Sequence, residues 1–434
     1  MIKTITVIGA NGTMGYNISG IFASFGNAEV YMICRNLDDA KRAVNMAAKS
    51  VKAEAIKSNL IPADYSMLEN CISSSDLIFE SVSEDIKIKE IINSEIAKYA
   101  KVDAIISTGT SGLSINKLAE SLPASLRTNY LGIHFYNPPY SMTLCELIPS
   151  SYTNSNILNK VNNYVTEILY RTAVVVKDSP AFLGNRIGFQ FINEALQYAE
   201  KYKDNGGIDY IDAILGQFSG RSMAPLITSD FVGLDVHKAI VDNLYINTND
   251  YAKDTFILPQ FAFNLIKNGK LGRKTNGGLY KLEVSDSGLK KSLVYDINTN
   301  KYRDKYKYSF PFVENMILSL MNGEYAIAFS ILINNHSIEA ELCLEFLIKY
   351  VLYSLNSAIF VADDFQAADD VMANGFNWCP PLAIVQALFG VDNFRCLVQE
   401  RINHQILEHI DMDRLFNNLN TSTYDYRRYF KAKH

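Results

Sequence analysis

The chain has 434 residues, 48% of them hydrophobic, which is enough to build a large core in two or three domains. A formal net charge of −5 leaves no basic footprint, so nucleic acid and anionic membrane are excluded as expected main partners and small molecules are favoured. Six cysteines, at 34, 71, 145, 343, 379 and 396, form no CxxC pair and no metal-ligand spacing; reduced thiols, no metal site and a cytoplasmic setting are expected.

The first residues, MIKTITVIGA, enter a strand pattern at once, without the basic and apolar regions of a secretory signal. No apolar run approaches the roughly 20 residues of a bilayer span, so no membrane segment is expected. TITVIG then reads as a strand, TMGYNISGIFASFG as a helix, EVYMICR as a strand, and Leu37 to about Ser58 as one long amphipathic helix. DLIFESV, AIISTGT, YLGIHFY and LCELI continue as strands, with KIKEIINSEIAKYA and SINKLAESL as helices between some of them. This alternation over residues 1–178 predicts an α/β fold with a parallel, doubly wound sheet of Rossmann type.

From Lys177 onward helical spacing takes over, beginning with Phe182 to Lys201, and two all-α domains are expected at 179–283 and 284–434. The break between them falls near VSDSGLKKSLVYDINTNKYR, where Asn298-Thr299-Asn300 reads as the turn of a hairpin. IDYIDAI and RSMAPLITSDFVGLD, around residues 208–235, resemble QAADDVMANGFNWCPPLAIVQALFGVD around 366–392, so a duplicated helical unit is expected. The closing YDYRRYFKAKH reads as a solvated or packed terminus.

Three stretches carry chemistry. VIGANGTMG places Gly9, Gly12 and Gly15 between the first strand and the first helix, where a tight turn and free helix N–H groups suit a pyrophosphate. Gly9, Asn11, Gly12, Thr13, Met14 and Gly15 are the expected cofactor contacts, although GxxGxxG is one residue longer than the usual GxGxxG. At the end of the second strand stands Cys34-Arg35-Asn36 instead of a carboxylate for the adenosine ribose. A guanidinium there can pair with a 2′-phosphate, which favours NADP(H) over NAD(H); stacking on adenine or facing solvent are the other roles open to Arg35.

In HFYNPPYSMTLCE, His134 precedes Glu146 by twelve residues across a proline-containing turn. Oxidising a secondary alcohol needs a base for the hydroxyl proton, and an imidazole oriented by a carboxylate supplies one. A histidine at a strand end can equally be structural, and the residues alone leave both readings open.

VIGANGTMG, SVSEDIKIK, TGTSGL, HFYNPPYSMTLCE, DSPAFLGNR and LGRKTNGGLY, in this order, resemble the 3-hydroxyacyl-CoA dehydrogenase family over about residues 1–282. The downstream repeat resembles a second copy of that family's C-terminal helical domain. The resemblance implies an NAD(P)(H)-dependent interconversion of a 3-hydroxyacyl-CoA and a 3-oxoacyl-CoA, with an acyl-CoA thioester as partner; a monomer or homodimer is expected, since two similar helical units in one chain could mimic a dimer contact internally. It implies that His134 is catalytic with Glu146 behind it, that Ser111 bonds the substrate's reacting oxygen, and that Asn185 supports the site. By the same likeness Glu84, Lys89, Asn137 and Lys274 fall on cofactor-contacting positions, and Ser50 and Lys57 lie near the coenzyme A moiety. The chain departs from the family pattern at Gly109 (usually asparagine), at Cys34 (usually acidic), in the longer glycine loop, and in a shortened arm from Ser58 to Asn70. A dehydrogenase of a free hydroxy acid or sugar acid, and a cofactor-binding protein without turnover, are the rival expectations.

Overall fold

The computed structural model describes residues 2–284, 288, 290–417 and 419–430. By Cα packing the chain divides into two compact units, Met1–Phe182 with Asn374–Phe376, and Leu183–Ala373 with Asn377–His434.

Eight strands build the first unit: β1 (Thr4–Ile8), β2 (Glu29–Cys34), β3 (Leu60–Asp64), β4 (Leu77–Glu80), β5 (Ile105–Thr108), β6 (Tyr130–Phe135), β7 (Leu144–Pro149) and β8 (Thr172–Val175). They form one sheet in the order β3-β2-β1-β4-β5-β6-β7-β8. Every neighbouring pair is parallel except β6 and β7, which run antiparallel. The inner strands carry buried apolar stretches such as Val7-Ile8 and Ile105-Ile106 because helices cover both faces of the sheet. The order reverses at β1 and β4, and in sheets of this kind the crevice outside the strand ends at that switch point is where ligands bind.

Helix α1 (Thr13–Ser24) follows β1, and α2 (Leu37–Ser50) follows β2. Their close approach depends on Gly20, where a Cβ would stand 3.0 Å from the Ala47 carbonyl oxygen. The expected long helix to Ser58 is corrected: α2 ends at Ser50, Lys52 turns to φ +55°, and Glu54–Asn59 forms a separate 3-10 turn. Two strands were not expected. β3 is short and carries Pro62, which is tolerated because β3 is an edge strand, and β8 is a four-residue strand at the opposite edge.

The second unit is largely helical, and its longest helix, Ile338–Val361, is mostly buried. By length and composition that helix could cross a membrane, which corrects the expectation that no apolar stretch qualifies; inside the unit it packs as a core helix. The repeat seen in sequence is a repeated capping device. Asp212 accepts from the N–H groups of Leu226 and Ile227 at the start of helix Pro225–Val232, and Asp369 accepts from Leu382 N–H at the start of helix Pro381–Ala387. Arg221 and Trp378, at matching places in the two copies, meet in an antiparallel bridge. The buried Arg221 guanidinium lies over the rings of Phe191, Trp378 and Tyr350.

This half also holds a three-stranded antiparallel sheet, β9 (Tyr280–Val284), β10 (Lys290–Asp296) and β11 (Lys301–Asp304), in the order β11-β10-β9. Asn300, at φ +57°, makes the expected hairpin turn between β10 and β11. The division drawn at 283/284 falls at the end of β9, and part of VSDSGLKK lies outside the described residues, as does the final KAKH. Up to Phe430 the tail is packed, with Tyr426 and Tyr429 buried.

Candidate active site

The antiparallel register of β6 and β7 sets His134 directly opposite Glu146. Paired residues on neighbouring strands project to one face, so the two side chains meet without any help from a loop. His134 Nδ1 lies 2.9 Å from Glu146 Oε2, with both side chains buried. An ionised carboxylate can only accept, so with Glu146 in that form Nδ1 is the donor, and a neutral imidazole then keeps its lone pair on Nε2. The imidazole is flanked by the rings of Tyr136 at 4.7 Å and Phe182 at 5.5 Å, which limit its rotation. Tyr136 donates its hydroxyl to the same Glu146 Oε2 at 2.9 Å. Sequence reading passed over this tyrosine, treating it as one aromatic letter of a motif.

Ser111 sits after β5, and its N–H donates to Glu84 Oε1 at 2.8 Å; the Thr110 hydroxyl donates to the same oxygen at 2.6 Å. Glu84 therefore anchors the Ser111 loop. In that loop Gly109 makes room for Phe79, whose Cζ would stand 2.8 Å from an added Cβ. Lys89 is 1% exposed, and its amine bonds both oxygens of the equally buried Glu80, with Glu84 further off at 3.6 Å. Glu80 also accepts from the Thr108 hydroxyl and Val82 N–H, so the structure commits Lys89 to a buried ion pair at the end of β4. Asn137, which precedes a cis proline, is exposed at the tip of the turn after β6.

At the switch point a cavity of about 420 Å³ is lined by Gly9, Asn11, Gly12, Cys34, Arg35 and Tyr65, among others. Gly9 has φ +83° and an added Cβ would fall 2.5 Å from Ser81 O, while one on Gly15 would fall 2.4 Å from Gly9 O. Both positions therefore require glycine. Thr13, Met14 and Gly15 form the first turn of α1, whose N-cap Gly12 offers no side-chain acceptor and whose first turn has no acid. The positive end of that helix is left for an anion, and these residues fit the pyrophosphate of a dinucleotide. Arg35 is exposed at the rim, and no carboxylate is among the described residues lining the cavity. Asn36 is used locally, capping α2 through Asp39 N–H. Burial, and then the nearby Asp39 charge, push the Cys34 thiol up to about 11. Tyr65 was not anticipated, because it follows the unrecognised β3; burial raises its phenol, with the Arg35 charge opposing.

Residues 4–179 match the family description "3-hydroxyacyl-CoA dehydrogenase, NAD binding domain", and residues 182–282 match "3-hydroxyacyl-CoA dehydrogenase, C-terminal domain". The chain belongs to the 3-hydroxyacyl-CoA dehydrogenase family. A "Probable 3-hydroxyacyl-CoA dehydrogenase" of Caenorhabditis elegans is 30% identical over 296 residues, covering 64% of this chain and 93% of its own. A "Putative fatty acid oxidation complex trifunctional enzyme" of Rickettsia felis is 27% identical over 394 residues, which cover 87% of this chain and 52% of that protein. The chain thus spans about half the length of that relative, and 38% of a Bacillus subtilis "Probable 3-hydroxyacyl-CoA dehydrogenase". The crystal structure of 3-hydroxybutyryl-CoA dehydrogenase from Escherichia coli shares the fold, with a TM-score of 0.71 at 20% identity over 96% of this chain and 98% of its own.

The remaining positions suggested by the family pattern lie elsewhere. Ser50 closes α2, its hydroxyl on Ala47 O at 2.9 Å, and Lys57 stands on the separate 3-10 turn, paired with Glu54 at 2.5 Å. They do not share one helix face. Asn185 and Lys274 belong to the second unit: Asn185 is buried in the first turn of helix Gly184–Lys201, and the Lys274 amine meets Asp235 at 2.5 Å.

Proposed function

We propose that the protein is an NAD(P)-dependent oxidoreductase that interconverts a 3-hydroxyacyl-CoA and a 3-oxoacyl-CoA. The observation that carries this reading is the 2.9 Å contact between His134 Nδ1 and Glu146 Oε2 on facing strands, which leaves the other imidazole nitrogen to handle a proton. A nicotinamide cofactor held by the glycine loop supplies or accepts the hydride. The chain's own residues deal with the proton. In oxidation His134 Nε2 takes it from the substrate hydroxyl, and the ionised Glu146 stabilises the imidazolium; in reduction the same nitrogen returns it. Ser111, carried over from the family pattern, donates to the reacting oxygen, and Glu84 fixes the backbone that presents it. Asn185 takes its supporting role from the same pattern.

Within this reading, NADP(H) is the preferred cofactor. Support comes from Arg35 at the cavity rim and the lack of a carboxylate among the described lining residues. A hydrogen bond to a charged group contributes about 1.5–3 kcal/mol, and exposure pulls the effect to the low end, so the preference is about tenfold. A second reading, oxidation of a free hydroxy acid, is favoured by the separation of Ser50 from Lys57, which weakens the expected coenzyme A contact.

Both points are tested together by fluorescence titration with NADPH and NADH, followed by turnover on acetoacetyl-CoA and on free 3-hydroxy acids. Turnover confined to the thioester supports the proposal, and turnover confined to free acids replaces it with the second reading. A preference for NADH removes the role given to Arg35.

A further inference from the structure

We propose that Tyr136 is a positioning residue for the His134–Glu146 pair, its hydroxyl fixing the orientation of the carboxylate and the charge that carboxylate presents to the imidazole. The inference rests on the reading of His134 as the proton carrier.

His134 ends one half of an alternation that Tyr136 continues two residues later, so both side chains rise on the face of the sheet where Glu146 stands. Glu146 Oε2 accepts from His134 Nδ1 and from the Tyr136 hydroxyl, each at 2.9 Å. Glu146 is fully buried and Tyr136 is 7% exposed, so both bonds act in a low-dielectric setting where water does not substitute for either. The phenol ring is itself held by edge-on contacts, with His134 at 4.7 Å and with Phe376, a residue of the same unit, at 5.9 Å.

A second donor on the oxygen that faces the imidazole spreads the carboxylate's negative charge and reduces its pull on the imidazolium proton. Removing the hydroxyl therefore makes the pair take up a proton at higher pH. Cys145 on β7 is a titratable neighbour of Glu146, and its thiol is pushed up by burial first and then by the Glu146 charge, with the Arg171 charge opposing. These groups are unchanged when only the Tyr136 hydroxyl is removed.

The test uses the full chain with isotopically labelled histidine, following the His134 imidazole by NMR as pH is varied; its signal is assigned by its loss in His134→Gln. Tyr136→Phe keeps the ring and its contacts, and is expected to raise the His134 midpoint by about half a unit to one unit. In a Glu146→Gln background the same change should have no effect on the midpoint, because the shared acceptor no longer carries charge. The acid limb of the oxidation pH–rate profile should move upward with the midpoint, while KM and cofactor affinity stay near the parent values. A midpoint that stays or falls in Tyr136→Phe overturns the proposal, as does an equal shift in the Glu146→Gln background. A rise in the midpoint in a protein without turnover on CoA thioesters upholds the positioning role and removes the proposed substrate instead.

Discussion

Glu146 of the first unit and Asp212 of the second are both buried and both accept more than one hydrogen bond, but the donors described for each differ in kind. Glu146 faces an imidazole and a phenol. Asp212 faces the backbone N–H groups of Leu226 and Ile227 and the Tyr280 hydroxyl, and its counterpart Asp369 faces Leu382 N–H and the Ser422 hydroxyl. A carboxylate bonded to backbone amides holds a helix start in place. A carboxylate bonded to one nitrogen of an imidazole sets what the other nitrogen does. The donor set, more than burial or charge, tells a site apart from a brace, and the repetition of the Asp212 arrangement at Asp369 marks it as part of the duplicated architecture.

The comparison breaks most sharply if the two carboxylates exchange effects. His134→Gln should lower kcat/KM by roughly 10²- to 10⁴-fold with little change in cofactor affinity or melting temperature. Asp212→Ala should act the other way, leaving the chemistry of the first unit intact while costing about 2–3 kcal/mol of stability, since it strands two helix N–H groups. Asp369→Ala, with one backbone donor lost, should cost about 1–2 kcal/mol; urea unfolding measures both.

Acidity sharpens the contrast. Burial raises the Asp212 carboxyl to about 7, against the opposing hydrogen bonds of Tyr280 and Leu226, while in the unfolded chain it titrates near its ordinary value. The folded state therefore holds a proton that the unfolded state has already lost. This contribution to stability is present below about pH 4 and is lost as pH rises toward 7. Between pH 5 and pH 7.5 the parent should lose about 2 kcal/mol that Asp212→Asn does not lose. Burial also raises Asp230 and Asp369, each to about 6, and lowers His237 to about 3. Their effects are common to both proteins and cancel in the difference. The smallest expected effect lies at the cavity rim, where Arg35→Ala should narrow the preference for NADPH by about tenfold, read from titrations of the two reduced cofactors.

Much of this was legible in the sequence for local reasons. The glycine loop announces itself because Gly9 and Gly15 occupy places where any Cβ would strike the backbone. The His134–Glu146 contact was within reach because a short proline turn between two apolar runs leaves few registers to choose from. Other features depend on neighbours that no local pattern records. β3 has neither alternation nor length, so Tyr65 behind it went unseen, and α2 ends where Lys52 adopts a positive φ within an apparently continuous helical period. Lys89 reads as a cofactor contact by family likeness until Glu80 is found beneath it. The helix Ile338–Val361 reads as apolar because it is enclosed on most sides within its own unit. The Tyr136 hydroxyl could have pointed anywhere; only the assembled sheet shows it on Glu146.

The central claim is that Glu146 serves the proton transfer and not merely the packing of β7, and the chemical step tests it most directly. Stopped-flow reduction of acetoacetyl-CoA by Glu146→Gln, saturated with its preferred reduced cofactor, should be at least about 10²-fold slower than that of the parent at unchanged cofactor affinity. A chemical step within about threefold of the parent rate would show that His134 works without its carboxylate and would contradict the assignment of the pair.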